Sequence, residues 1–540
     1  MEPVQSKWWD DCVRTDVAPY YRERGGASDN DEKRSSGQLL WGDRVRILEA
    51  DTGDGAVKVC ARGIDVWVNA THLGGEPLLE LYIIDVGQGD GLLLVTPEGH
   101  HVMVDGGNLR KVQNGGKNAA DFVDWKFFDE YSLPADRADG VSIHLDAMIA
   151  SHCDQDHFGG LWDLIDRTDP KNAAELDCSA VTIEAFYHAG LSWWFDRWDG
   201  NSAERWLGPV QNEAYTQVLG DRAGAEAATA NLDTPDRTTL SGGWGKLIAA
   251  VAASRRSDGE LTNIQRLSHA SGWLPGFAPD DDGSEVAIRV LGPIELERNG
   301  APALQRYEGG TSKNTNGHSI VLRVDYGDRR LLLTGDLNTA SQHQIMETYG
   351  PDFTAAFGCD VAKGCHHGSH DVSVRFLDGL KPVATVISSG DAETHDHPRP
   401  TILAASVLTS RKLFSVDGDQ VIAPLLYATE IARSVQLADV VALRAFDPPT
   451  PKYVARPPTG AEHVYDSEDE KSRFRLYLSE RPSAPRDFPR LDAAKVVRGL
   501  TYGLVNVRTD GTRLLFAVRE ESGPDWAVEV IEGHEIETAA

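Results

Sequence analysis

The stretch Ser151-His152-Cys153-Asp154-Gln155-Asp156-His157-Phe158-Gly159-Gly160 follows directly on the apolar run Ala147-Met148-Ile149-Ala150. Two imidazoles and two carboxylates, those of His152, Asp154, Asp156 and His157, fall within six positions. A strand ending in such a loop supplies mixed nitrogen and oxygen donors, the set that suits zinc or manganese at a hydrolytic site. A solvated acidic loop would need no paired histidines. Gly159 and Gly160 permit a tight turn, and Phe158, Leu161, Leu164 and Ile165 then recur at helical spacing. The loop is therefore expected between a strand and a helix.

Outward from this loop, other polar residues stand where apolar strands end. Leu79 to Val86 and Gly91 to Thr96 flank Gly87-Gln88-Gly89-Asp90, and His101-Val102-Met103-Val104 runs into Asp105-Gly106-Gly107. Downstream, Ile320 to Tyr326 and Arg330 to Thr334 read as a hairpin around Gly327-Asp328 that ends at Gly335-Asp336. Asp360 to Cys365 leads into His366-His367-Gly368-Ser369, and Val383 to Ser388 leads toward His397-Pro398. Residues at the strand ends of an α/β sandwich face one common edge, so these distant groups are expected to converge.

The ordered set Asp85-Val86-Gly87-Gln88-Gly89-Asp90, Val104-Asp105-Gly106-Gly107, Ser151 to Gly160, Gly317-His318-Ser319-Ile320-Val321-Leu322, Leu333-Thr334-Gly335-Asp336 and His366-His367-Gly368-Ser369 resembles the metallo-β-lactamase fold. More narrowly, it resembles the branch containing the hydrolase domain of DNA-uptake (competence) channel proteins. The match runs over roughly residues 78 to 425. Where the wider superfamily has HxHxDH, this chain has His152-x-Asp154-x-Asp156-His157, as in the narrower branch, a harder donor set that shifts preference toward manganese.

The resemblance implies an α/β, four-layer αββα metallo-β-lactamase sandwich that binds two divalent metal ions, zinc or manganese. It assigns His152 and Asp154 to the first ion, Asp156 and His157 to the second, and Asp336 to both. A further histidine is expected from His188, which ends the run Val181 to Phe186, or from His318. One of His366 and His367 should bind metal, because adjacent residues leaving a strand point to opposite sides. His367 is favoured as the ligand and His366 as a phosphate or transition-state contact. Asp85, Asp90 and Asp105 would hold the ligands by hydrogen bonding. A water shared between the two cations would attack the electrophile, with His397 protonating a leaving group. Phosphodiester hydrolysis of a small-molecule or nucleotide phosphoester, nuclease-like in character, is the favoured activity. Acyl hydrolysis (lactone, thioester or carboxyl ester) on the same metals is the alternative, and an interaction subunit with a structural metal site is the reading from another class.

Several of these residues also have plainer roles. Ser369 could bind substrate or cap a turn after Gly368, and His397 could be a turn histidine. Trp193-Trp194-Phe195, Trp198 and Trp206 could line a pocket, pack the interior or meet another subunit, so an oligomer is open. Asp280-Asp281-Asp282 reads as a solvated loop.

The 540 residues allow about three to four domain-sized units. Residues 1–36 read as a polar extension, and 37–76 resemble a small SH3-like β-barrel. Residues 77–445 form the catalytic domain with an insertion at about 190–315, and 446–540 form a connector and a C-terminal strand-containing segment. Six cysteines without CxxC pairs exclude a thiolate zinc knuckle and read as reduced thiols. No signal-like or membrane-spanning stretch is present, so no membrane partner and a cytoplasmic location are expected. The net charge of −30 opposes extended nonspecific nucleic-acid binding. Divalent cations in a cleft can still invert the local potential for a phosphate ester.

Overall fold

A computed structural model describes residues 8–113, 116–133, 136–279, 284–390, 397–415, 419–429, 504–519 and 525–533, together with three further strands, Val440–Ala445, His463–Asp466 and Phe474–Leu478. The chain divides into two compact units. The smaller, residues 392–396 and 432–500, contains those three strands as an antiparallel sheet with Phe474–Leu478 in the middle. The acidic run at 280–282 and the rest of the 446–490 connector lie outside the described residues.

The larger unit is built on two extended sheets. The first has nine strands, in the order Asn263–Arg266, Ala180–His188, Ser142–Ala150, His101–Gly106, Gly91–Val95, Leu79–Ile83, Val505–Thr509, Leu514–Arg519 and Trp526–Ile531. The second has six: Ala287–Gly292, Val321–Tyr326, Arg329–Leu333, Val361–Lys363, Ala384–Ile387 and Leu425–Ala428. Alternation along each strand assigns its two faces. Leu79, Leu81, Ile83, Val102, Val104 and Ile149 pack against Ile288, Leu322, Val324 and Leu331 between the sheets. Tyr82, Leu93, Met103 and Met148 point the other way, onto Val123, Phe158, Leu161 and Leu247 of helices Ala119–Trp125, Gln155–Ile165 and Gly242–Ala253. Across the molecule, Val321, Leu332 and Ala362 pack against Ile345, Phe357, Phe376 and Ile402, also carried on helices. Strands buried on both faces read as continuous apolar runs, which is why they stood out in the sequence. The result is an α/β architecture of stacked sheets flanked by helices.

Two differences from the sequence reading have clear physical causes. Val17–Tyr21, inside the stretch read as a polar extension, pairs with Gly37–Leu40 and Ile64–Asn69 in a six-stranded antiparallel sheet that also holds Asp11–Cys12, Arg44–Glu49 and Ala56–Ala61. Its few apolar residues suffice because Ala18 joins Val13, Leu39, Val45, Val59 and Val68 in a small core. The 190–315 segment is not wholly separate from the sheets. Asn263–Arg266 forms an edge of the nine-stranded sheet, and Ala287–Gly292 pairs with Val321–Tyr326. The C-terminal strands extend the first sheet through Val505–Thr509, antiparallel to Leu79–Ile83. No described helix is long and apolar enough to cross a membrane.

Candidate metal centre

Strand Ser142–Ala150 lies parallel to His101–Gly106, so Asp105 comes beside the start of the metal loop and its Oδ1 accepts the Ser151 amide at 2.7 Å. The helix Gln155–Ile165 begins within the loop, with Asp156 and His157 in its first turn. Gly159 and Gly160 do not form a turn before the helix; they lie inside it. A Cβ on Gly160 would stand 2.0 Å from the Gly106 carbonyl oxygen, so glycine lets the helix rest directly on the backbone of the neighbouring strand end. That close approach aims the first turn at the sheet edge.

There the donors converge. Ligand atoms of His152, His157 and Asp336 lie within 4.8 Å of one another, as do those of Asp156, His157 and His367, and those of Asp90, Asp336 and His367. Asp336 is the hub: its Oδ2 is 3.3 Å from His157 Nε2 and 3.1 Å from His367 Nε2. The Nε2 atoms of His152, His157 and His367 and Oδ1 of Asp336 are buried with no hydrogen-bond partner among the described residues. The opposite ring nitrogens are held from behind. His157 Nδ1 is 2.8 Å from Asp105 Oδ2, His367 Nδ1 is 3.2 Å from the Ser388 carbonyl, and His152 Nδ1 is 3.1 Å from Ser151 Oγ and 3.2 Å from Ser319 Oγ. Buried imidazoles held at one nitrogen and bare at the other are the arrangement that metal ligation requires. The residues present therefore fit a divalent cation.

The charges are consistent with that geometry. Burial opposes protonation of His367, but Asp336 and Asp90 outweigh it and push the imidazole up to about 9. Asp336 and Asp105 likewise overcome burial to raise His157 well above its ordinary value. Burial, joined by the neighbouring His157, drives His152 down to about 3. Burial also raises the Asp154 carboxyl to about 6.

His366 and His367 depart from the alternation expected of a strand exit. Both adopt left-handed backbone, with φ of 46° and 51°, a conformation that costs a non-glycine residue about 1–2 kcal/mol. The turn brings both rings toward Asp336 rather than to opposite sides. His367 is fully buried among the donors, whereas His366 is partly exposed with its Nε2 3.7 Å from Asp336 Oδ2. With the Asn316 amide oxygen facing His366 Nε2 at 3.1 Å, its nitrogen donates to Asp154 Oδ2 at 3.0 Å.

Asp154 lies beside the converging groups rather than among them, its Oδ2 3.8 Å from His152 Nε2. Its carboxylate accepts hydrogen bonds from Trp193 Nε1 at 3.1 Å and Thr315 Oγ1 at 2.6 Å. Trp193 and Trp194 are core residues, so the aromatic run packs while Trp193 also reaches a site carboxylate. His188 ends its strand opposite Ala150, yet its buried ring is not among the converging donors. His318 Nε2 donates to the Gln305 carbonyl at 2.7 Å and its ring stacks on Tyr307, a packing role. Asp90 is buried against Lys363 and 3.3 Å from His367 Nδ1, whereas Asp85 is exposed and accepts the Gly87 amide at 3.2 Å. Ser369 Oγ accepts the Asp371 amide at 3.3 Å, as a turn cap does. The His397 ring stands 5.7 Å from that of His366, edge to face.

Sequence reasoning missed Lys363, Ser388, Asn316, Thr315 and Ser319. Lys363 left a trace, as a lysine inside the apolar strand that leads to the histidine pair, while Ser319 and Ser388 lay within stretches already singled out but without a role of their own. Its ammonium is buried between Asp90 and Asp336, 3.8 Å from Asp336 Oδ1, and donates to the Gly335 carbonyl at 3.0 Å.

No family model matches the chain. Over 88 residues it is 38% identical to competence protein ComA of Neisseria gonorrhoeae, which is 16% of this chain and 12% of that protein. Over 89 residues it is 33% identical to ComE operon protein 3 of Bacillus subtilis (strain 168), 16% of this chain and 11% of that one. The chain thus spans about a tenth of the length of the curated relatives it matches. Among solved structures, Tm1679, described as a metal-dependent hydrolase of the β-lactamase superfamily, is 11% identical with a TM-score of 0.27, covering 61% of this chain and 91% of that one. NlpC1 from Trichomonas vaginalis is 15% identical with a TM-score of 0.11, covering 19% and 45%. What stands is a distant, local likeness to competence proteins, without assignment to a family or branch.

Proposed function

We propose that this chain is a metal-dependent hydrolase with a four-layer αββα catalytic core and two divalent cations, and that it hydrolyses phosphodiesters. The observation that carries the reading is the set of three buried imidazoles, His152, His157 and His367, whose bare Nε2 atoms surround the Asp336 carboxylate. Asp156, His157 and His367 with Asp336 would hold one ion, and His152 with Asp336, joined by the nearby Asp154, the second. When bound, such ions activate water near neutral pH and neutralise charge developing on the substrate.

The chain's own residues do the rest. Asp105, Ser388 and Ser319 fix the ring orientations, and Lys363 with Asp90 anchors the base of the cluster. His366, on the open side and held by Asn316, is the group assigned to contact the substrate phosphate. His397, next to it, is the group assigned to protonate the leaving oxygen.

The test is reconstitution of chelator-stripped protein with zinc or manganese, followed by assays on a bis-aryl phosphate, a cyclic nucleotide, single-stranded DNA and aryl carboxyl esters. Turnover of a phosphodiester that disappears in a folded Asp336→Ala variant is the expected result. Bound metal with no turnover of any phosphodiester sinks the proposal, and turnover of esters alone moves it to acyl hydrolysis.

A further inference from the structure

Three arginines stand on or beside the antiparallel hairpin formed by Trp194–Trp198 and Ala203–Trp206, and two of them have a carboxylate partner. Arg197 pairs with Glu204 at 2.6 Å, and Arg237, stacked over Trp206, pairs with Asp196. Arg205 is exposed, and its side chain makes no hydrogen bond or ion pair with any described residue. Its guanidinium carbon lies instead 3.9 Å from the centroid of the Trp193 ring. Pairing with Phe195 across the hairpin brings Arg205 to the side from which it can cover Trp193, two residues earlier in the chain. Trp193 is buried and donates its indole N–H to Asp154 Oδ1 at 3.1 Å. Arg205 therefore covers the face of a ring whose N–H edge holds a carboxylate of the candidate metal centre.

An exposed arginine ordinarily samples many rotamers, and ordering it offsets much of what an ion pair contributes. Stacking on Trp193 holds the guanidinium plane in advance, so less freedom is lost when its fork of N–H donors meets an anion. Asp154 leaves that fork unused because both its oxygens are taken. Oδ1 accepts from Trp193, and Oδ2 accepts from Thr315 Oγ1 at 2.6 Å and from the Asn316 nitrogen at 3.0 Å. The Asp154 side chain is 20% exposed, so the centre meets solvent beside this indole. In a chain of net charge −30, an oriented cation without a carboxylate, next to a centre that holds Asp156 and Asp336, is placed for an anion that arrives from outside. We propose that Arg205 is a substrate-binding residue that grips a phosphate oxygen of the substrate at the metal centre. The proposal rests on the hydrolase reading for the identity of that substrate. It adds a contact from the 190–315 segment, one that selects anionic esters over neutral ones because a planar guanidinium matches two phosphate oxygens at once.

The experiment uses the full chain loaded with zinc, titrated with phenyl phosphate by calorimetry, while turnover of a bis-aryl phosphate is followed in parallel. In Arg205→Gln the Kd for phenyl phosphate is expected to rise roughly tenfold, the size of a lost charge-assisted hydrogen bond, and the KM for the diester to rise with it. Arg205→Lys should recover only part of the loss, because an ammonium lacks the planar fork. Arg237→Gln removes the same charge from the same region and should leave the Kd unchanged. Absence of saturable phenyl phosphate binding by the parent at millimolar concentration overturns the proposal, as does a Kd that Arg205→Gln leaves unmoved or that Arg237→Gln raises equally. Arg205-dependent binding without diester turnover by the parent upholds the contact and removes the hydrolase reading; diester turnover with an unmoved Kd and KM in Arg205→Gln does the reverse.

Discussion

Asp105 Oδ2 lies 2.8 Å from Nδ1 of His157, and the other oxygen of the same carboxylate accepts the Ser151 amide. One side chain thus sets both the ring of a histidine in the candidate metal cluster and the start of the loop that carries it. Asp105→Asn removes the charge that favours Nδ1–H and weakens the hold on the loop. Metal affinity should fall roughly 10- to 100-fold, the usual effect of removing a carboxylate behind a ligating histidine. Competition with a chromophoric chelator measures it, and unchanged affinity would mean that Asp105 serves only the backbone.

Lys363 and Asp90 are each about 1% exposed at the side chain and pair directly beneath Asp336. Lys363→Met leaves Asp90 buried without its strongest cation. Breaking a buried pair from one side costs about 3–5 kcal/mol, whereas removing both charges costs much less. Lys363→Met should therefore destabilise the protein severely, and the double variant with Asp90→Asn should recover most of the loss. Denaturant unfolding of the single and double variants gives the coupling directly; additive losses would show that the two residues act separately.

The strand ends were legible because strands buried on both faces write themselves as apolar runs, and Asp90, Asp105, Asp336 and His367 stand at or just beyond such ends. What supports them was not. Ser388, Asn316 and Trp193 reach the site by tertiary packing, and no local pattern marks a serine carbonyl or an indole N–H as a partner. The alternation rule failed at His366 and His367 because it holds only for extended chain, and both residues are left-handed. His188 was placed correctly at a strand end next to Ala150, but its ring lies apart from the converging donors.

Gly160 illustrates how a residue can be noticed for the wrong reason. Its place is inside the helix Gln155–Ile165, against the Gly106 backbone, where any Cβ meets a carbonyl oxygen that cannot yield as a side-chain end could. Gly160→Ala should cost at least about 1–3 kcal/mol from overpacking, despite the better helix propensity of alanine. Because the displaced helix carries Asp156 and His157, metal binding should weaken with it. Gly243→Ala, where the contacts are ring carbons of Trp162 and Phe158 at 3.0–3.3 Å rather than backbone, is the control expected to lose less. Equal losses in thermal unfolding would remove the backbone-contact explanation.

Asp43 joins three parts of the larger unit: Arg508 of the C-terminal strands binds its Oδ1 at 2.7 Å, while Arg62 and the Leu40 amide bind Oδ2 at 2.7 and 2.8 Å. Burial would raise this carboxyl, but Arg508 and Arg62 outweigh it and bring it down to about 2 from 3.8. The unfolded chain therefore binds the proton more readily than the fold does. The stabilisation is fully present above pH 4 and is lost as pH falls toward 2, and the shift corresponds to about 2 kcal/mol. Asp43→Asn should be less stable than the parent at pH 6, with the gap narrowing as both are titrated to pH 2.5. Denaturant unfolding at a series of pH values tests this, and a gap independent of pH would assign the loss to geometry instead of charge.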